Sequence, residues 1–353
     1  MSPNAEELRR RIAHFVDASL SDESVRNSFF ERRGSEKYLD GDSRGWKLTE
    51  ARRKMFRDAR RGERIKKVLY RPFNEWFVFW ADYMVDWPRN DVMKHMEHDN
   101  CALLFSRNVE IPSAEHFFCT DKIAGHHSVS LKEVNYMAPL FLYETDVVGN
   151  VEMFASRRPN FSEAFLKRIA AAINVPQEPE FGLPEGISPE DIFHYIYAVF
   201  HAPGYRSRYA EFLKRDFPRV PLTADIALFR ALGAKGRELV ALHLLKAEDA
   251  PQLDDFLTGF PVTGTDEVLR VKHTPENGRV WINADQYFSS APEATWNFHI
   301  GGYQVCEKWS KDRKGRTLAD DDLQHWQRVV VALTETRRLM AEIDALIPEW
   351  PLL

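Results

Sequence analysis

With 353 residues, 44% apolar and 29% charged, the chain has the composition of a globular protein able to bury one large core or a few small ones. No stretch approaches the roughly 18 uninterrupted apolar residues of a membrane-spanning helix, and the charged, amphipathic opening MSPNAEELRRRIAHF lacks the apolar core of a secretory signal. A net charge of −5 excludes a surface coated in cation, and three cysteines (Cys101, Cys119, Cys306) cannot all pair internally, so a reducing cytoplasm is expected rather than a disulfide framework.

Residues 5–33 carry the pattern of one or two helices, with Ser21 as N-cap ahead of DESVRNSFF. GSEKYLDGDSRG then breaks the pattern. From Thr49 to about Val68 a composition rich in Ala, Arg, Lys and Glu predicts another helix, with Gly62 as its weak point. It is the most basic element: twelve Lys/Arg lie between Arg44 and Arg71, against Glu50, Asp58 and Glu63. From Tyr70 to Tyr143 the texture changes to the short aromatic and β-branched runs FVFW, ALLFS, HFFCT, HHSVSL and PLFLY, punctuated by Pro, Asn, Asp and Gly. These predict a set of mostly antiparallel strands, because most gaps are too short for helical crossovers, and loops suited to carrying binding side chains.

A Pro- and Glu-rich passage from about Val175 to Gly186 is expected to be a linker. Ser188, followed by Pro189, Glu190 and Asp191, starts a helix that should end near His201, since Pro203 disfavours helical Ala202. A second helix over YRSRYAEFLKRDF places Tyr205, Tyr209, Phe212 and Leu213 on one face and stops before Pro218; further helix covers 224–247. VLRVKHT and RVWINA, joined across PENG, predict a hairpin. From near Thr317, Leu323, Trp326, Val330, Leu333, Met340, Ile343 and Ile347 recur at threes and fours, giving a helix of about 28 residues, roughly 40 Å long. The expected fold is α+β: an antiparallel β-rich subdomain with flanking helices, a helical subdomain and a long C-terminal helix. The expected parts are an N-terminal helical connector (1–68), a β-rich recognition part (69–186), a helical part (187–260), and the hairpin, basic strip and long helix (261–353).

GGYQVCEKWSKDRKGRTL, residues 301–318, joins the hairpin to the last helix. Gly301 and Gly302 permit a tight bend, and Tyr303 and Trp309 are amphipathic anchors beside Lys308, Lys311, Arg313, Lys314 and Arg316. Cations held in a line beside aromatics suit a phosphate backbone; the competing interpretation is a solvated charged turn.

This stretch, together with HAPGYRSRYAEFLKRDFPRVP (201–221), LYRPFNEWFVFW (69–80), MVDWPRNDVMKHM (84–96) and GDSRGWKL (41–48), resembles the C-terminal specificity domain of Type ISP restriction-modification enzymes, from about residue 25 to the C-terminus. The resemblance implies a large polypeptide joining nuclease, helicase, adenine-specific DNA methyltransferase and a final target recognition domain. Methylation of an adenine amino group needs a cofactor-cradling glycine turn and a [DN]PP[YF] loop for the flipped base. The chain has neither, nor a GxxxxGK[ST] phosphate loop. The chain is therefore expected to be the reader without the writer, a fragment or a separate subunit, with S-adenosylmethionine on a partner methyltransferase and no cofactor or catalytic residue of its own.

His95, His98 and Cys101, with His116, Cys119, His126 and His127 beyond, are adequate zinc ligands by type but irregular in spacing, and no metal is expected. Base reading calls for Arg or Lys on guanine and Asn or Gln on adenine. The loops offer Arg89, Asn90, Lys94, Asn100, Arg107, Asn108 and His127. The candidate DNA-binding residues are Arg44, Lys47, Arg52, Arg71, Arg89, Asn90, Lys94, Arg107, Arg206, Lys308, Lys311, Arg313, Lys314 and Arg316. Within the HAPGYRSRY and FPRVP motifs, Tyr205, Arg206, Tyr209 and Arg219 suit packing or phosphate contact better than base reading. The expected function is sequence-specific recognition of double-stranded DNA for an adenine-N6 methyltransferase, with no membrane partner; the alternative is a scaffold docking an acidic protein through its basic helix.

Overall fold

Asn4 accepts the Glu7 N–H (3.0 Å) and starts α1 (Ala5–Val16), and Ser21 accepts the Ser24 N–H (3.1 Å) ahead of α2 (Asp22–Phe30), as its position before DESVRNSFF implied. The structure, a computed structural model, describes residues 1–30, 46–85, 88–107, 116–130, 132–148 and 151–352, so GSEKYLDGDSRG lies outside the described residues. α3 (Leu48–Arg57) buries Leu48, Ala51 and Met55 in a small cluster with Phe15, Val25, Phe79 and Ala81.

The basic helix expected to reach Val68 stops at Arg57. Asp58 takes extended backbone and turns its carboxylate onto the Arg60 N–H (3.0 Å), Arg64 Nε (3.0 Å) and Tyr83 OH (2.7 Å), side-chain bonds that compete with helical continuation. Ile65–Arg71 is instead strand β1, paired antiparallel with β2 (Asn74–Phe79) and parallel with the short β5 (Ile123–Ala124). Long-range pairing has overridden local helical composition there.

ALLFS and HFFCT form β3 (Ala102–Ser106) and β4 (Phe117–Thr120), which pair antiparallel and continue through β3 into β6 (Asn135–Pro139). The described part of HHSVSL, residues 126–130, is not a strand: the Ser128 N–H donates to Asn135 Oδ1 (2.7 Å) and its hydroxyl to the Leu69 carbonyl (2.7 Å), holding a turn where ladder bonds would run. β7 (Phe141–Val148) and β8 (Val151–Pro159) make a two-stranded ribbon. Ser162 caps the following helix, α4 (Glu163–Ala172), by accepting the Phe165 N–H (3.2 Å). The passage expected to be a linker is folded: the Glu178 N–H meets the Leu183 carbonyl (2.7 Å), the Glu185 N–H meets the Pro176 carbonyl (2.8 Å), and Leu183 and Ile187 are buried.

The capping box of Ser188 and Asp191, with Pro189 at the first position, starts α5 (Pro189–His201). α6 (Pro203–Arg208) follows, but the second helix breaks at Tyr209 and resumes for one turn over Ala210–Leu213. Tyr209 is held against Tyr205 and Trp350, and the kink turns Phe212 out to 66% exposure instead of joining the buried Tyr205 and Leu213. α7 (Ile226–His243) lies against α5 so closely that a Cβ on Gly236 would fall 1.8 Å from the His194 carbonyl oxygen. β9 (Lys272–Thr274) and β10 (Arg279–Trp281) form the expected hairpin, extended by β11 (Tyr287–Phe288). β12 (His299–Ile300) and β13 (Tyr303–Gln304) lead into α8 (Val305–Lys311), and α9 (Asp320–Leu346) closes the chain with 27 residues packed on α7 and α5. One core runs from Val68 to Leu352, shared by the β-rich, helical and C-terminal parts. No helix of the described residues is long and apolar enough to cross a membrane.

His243 sits where α5, α7 and α9 meet, with Tyr197 OH at Nδ1 and Thr336 Oγ1 (2.9 Å) at Nε2. Burial, with the Arg206 charge, pushes its imidazole down to about 3, and the same two causes hold His201 well below its usual value. Both groups are depressed in the fold relative to about 6.5 unfolded, so below that pH the unfolded chain takes up protons that the fold refuses. Stability should therefore fall as pH drops from about 6.5, by up to about 1.4 kcal/mol per unit per histidine. Urea midpoints at about pH 7.5 and about pH 5.5 check this; equal values would mean that neither ring is held neutral by the core.

Candidate nucleic-acid interface

The turn between β12 and β13 is pinned by the Gly302 N–H on the Val129 carbonyl (3.0 Å), and Gly301 takes φ +57°. Tyr303 then meets Arg71 at the end of β1. The Arg71 guanidinium lies between the rings of Tyr303 (4.4 Å) and Tyr70 (4.5 Å), donating to Tyr303 OH and to the His127 carbonyl (3.1 Å). Asn74 in the next turn reaches Asp312 (3.3 Å), so the basic strip is tied to the first hairpin.

Within the strip the five cations have different environments. Arg313 is 7% exposed; it lies 3.5 Å over the Trp309 ring, donates to the Trp309 carbonyl (3.2 Å) and pairs with Asp322 (3.0 Å). Burial lowers its guanidinium to about 10 against the opposing pull of Asp322, so it stays charged at neutral pH. With its guanidinium enclosed and its Nε and one Nη bonded inward, Arg313 is placed as a clamp between α8 and α9 rather than as an open cation of the strip. Lys308 pairs with Asp312, Lys311 with Glu307 (2.8 Å) and Arg316 with Asp322 (3.7 Å). Lys314 is exposed and has no ion pair among the described residues. The exposed Lys311–Glu307 pair of α8 is an i,i+4 contact worth about 0.3–0.5 kcal/mol, weak enough to yield to a phosphate.

Two further expected contacts also face inward. Arg52 donates to the carbonyls of Phe15 (2.7 Å) and Asp17 (2.7 Å) and pairs with Asp22, locking α3 to the turn between α1 and α2. Arg206 Nε donates to the Phe200 carbonyl (2.7 Å), and its charge reaches the core histidines. Lys47 is exposed at the start of α3, and Arg44 lies outside the described residues.

The segment between β2 and β3 presents Arg89, Asn90 and Lys94. Asn100 anchors it, donating to the His95 (3.0 Å) and Phe141 (2.8 Å) carbonyls, while Met93 and Met96 are buried beneath. Asn90 and Lys94 are exposed, Asn90 bonding Asp82 (2.5 Å), and Arg89 holds left-handed backbone at φ 50°. Arg107 stands on the Phe217 ring (5.0 Å), with Asp216 at 3.8 Å; Asn108 lies outside the described residues. His95 Nδ1 accepts the Tyr143 N–H (3.0 Å), His98 stacks on the Tyr143 ring, and no three His, Cys, Asp or Glu side chains converge as a metal set among the described residues. Between the first hairpin, β4, the end of α7 and the start of α9 lies a groove of about 590 Å³ whose lining includes Asn74, Arg316, Gln324 and Arg328. Sequence inspection missed Tyr303 as the partner of Arg71, although its place after two glycines was visible.

The family model of the Type ISP C-terminal specificity domain matches residues 1–342. The chain belongs to this family. Its fold matches the ATP-dependent Type ISP restriction-modification enzyme LlaBIII bound to DNA (TM-score 0.67, 17% identity, 100% of this chain and 22% of that one). It also matches the DrdV–DNA complex solved by cryo-EM (0.66, 20%, 96% and 33%) and a nuclease-deletion mutant of the Type ISP enzyme LlaGI with a DNA substrate mimic (0.60, 18%, 96% and 26%). This Type ISP specificity domain thus spans about a fifth to a third of the length of those proteins. No curated protein matches it.

Proposed function

We propose that this chain recognises a sequence in double-stranded DNA on behalf of an adenine-N6 methyltransferase part that lies outside it. The observation that carries the reading is the match of the specificity-domain family over residues 1–342; the DNA in the three solved neighbours supports it. The protein-docking scaffold has no comparable support.

Phosphate contacts set register without reading sequence, and the exposed Lys47, Lys94, Lys311 and Lys314, with the half-buried Lys308 and Arg316, are suited to them. Arg89, Asn90 and Arg107 have the forked or paired donors that discriminate bases in the major groove. Left-handed backbone at a non-glycine residue costs about 1–2 kcal/mol, and such strain at Arg89 fits a side chain whose direction matters. S-adenosylmethionine and the pocket for the flipped adenine belong to the partner methyltransferase.

Alanine at Arg89, Asn90 or Arg107 should each relax the preference at one base pair by about 1–3 kcal/mol while leaving the others in place. Selection of bound duplexes from a random pool, run with the parent and the three variants, is the test. One consensus shared by all four proteins would remove base readout from these loops.

A further inference from the structure

The outer face of α3 and the turn after it carry cations that the contacts above leave unused. Leu48, Ala51 and Met55 face inward and Arg52 is engaged there too, so at 3.6 residues per turn Arg53 and Arg57 stand on the solvent face, about 6 Å apart along the axis. Arg60 is exposed in the turn beyond. None of the three has an ion pair among the described residues.

The nearby acids do not cancel them. Glu50 pairs with Lys54 (3.0 Å), and its carboxyl is held below its usual range by that bond and by the charges of Lys54, Arg53 and Lys47. Asp58 is turned away onto Arg64 and Tyr83. In the basic strip, by contrast, Lys308, Lys311, Arg313 and Arg316 each have a carboxylate within 4 Å. Unpaired guanidiniums concentrated on one face of a chain with net charge −5, beside a Phe56 that is 64% exposed, mark a surface that meets an anionic partner.

We propose that Arg53, Arg57 and Arg60 bind the phosphate backbone of duplex DNA independently of sequence, as a contact separate from the base-reading loops. It rests on the DNA-recognition function proposed above. The occupant is a polyanion rather than an acidic protein patch, because among the described residues no contact braces any of the three guanidiniums as a fork for one partner carboxylate, and a line of phosphates accepts mobile charges one by one.

The test uses the whole chain and a random-sequence duplex of about 30 base pairs, with affinity followed against salt. The triple variant Arg53→Ala, Arg57→Ala, Arg60→Ala should lower the slope of log affinity against log salt by about 2.7, or about 0.9 per phosphate, with the selected consensus unchanged. The corresponding triple lysine variant, which keeps the charges, should restore the slope. A parental slope in the alanine variant, or a loss that lysine does not restore, overturns this contact and leaves the recognition function standing. A parent chain that binds no duplex, random or selected, overturns both.

Discussion

Arg313→Ala should cost the fold about 3–5 kcal/mol, the range for breaking a buried ion pair from one side. The substitution leaves Asp322 with Arg316 alone at 3.7 Å, strips the Trp309 ring face of its cation, and frees the Trp309 carbonyl. Asp322 also accepts the Ala319 N–H (3.3 Å) at the start of α9, so the damage reaches the entry to the longest helix. Arg313→Lys keeps the charge but loses the planar fork, and should recover only part of the loss. Urea unfolding reads the stability directly. A variant of parental stability that instead lost about one unit of salt slope would return Arg313 to the DNA surface.

Gly301→Ala is the second large effect. A Cβ there would sit 1.7 Å from the Val129 carbonyl oxygen and 3.2 Å from the His116 ring, at φ +57°. Left-handed backbone contributes about 1–2 kcal/mol and overpacking about 1–3 kcal/mol, so a loss of about 2–5 kcal/mol is expected. Gly315→Ala is the control: its φ is +78° but nothing lies within 4 Å, so only the backbone cost applies. Thermal midpoints should order parent, Gly315→Ala, Gly301→Ala. Equal shifts for the two variants would show that the β12–β13 turn can lift from Val129 without cost.

Elements with local signatures were legible in the chain. Ser188 with Asp191, Ser21 before α2, the PENG hairpin and the periodic C-terminal helix each carry their instruction within a few residues. β1 was not legible, because IKKVLYR is joined to a helical composition and becomes a strand only by pairing with β2 and β5. α4 had a readable start in Ser162–Glu163 that was overlooked. For the site, a run of cations shows that charge is present but not which way each points. The burial of Arg313 depends on Trp309 four residues before it, visible in the sequence, and on Asp322 across the start of α9, which only the fold supplies. Arg52 and Arg206 face inward for a related reason: each donates to backbone carbonyls, which no side-chain pattern announces, and Arg52 adds Asp22.

The segment between β2 and β3 divides its labour by direction, with Met93, Met96 and Asn100 set into the body and Arg89, Asn90 and Lys94 turned away from it. Surface substitutions of that kind usually change stability by no more than about 0.5 kcal/mol each, against a total of about 5–15 kcal/mol for a typical domain. Several outward side chains can therefore be exchanged at once without re-solving the packing underneath. The segment has the build of a cassette: if it reads bases as proposed above, new target preferences would be reached in few steps, each intermediate remaining a folded protein.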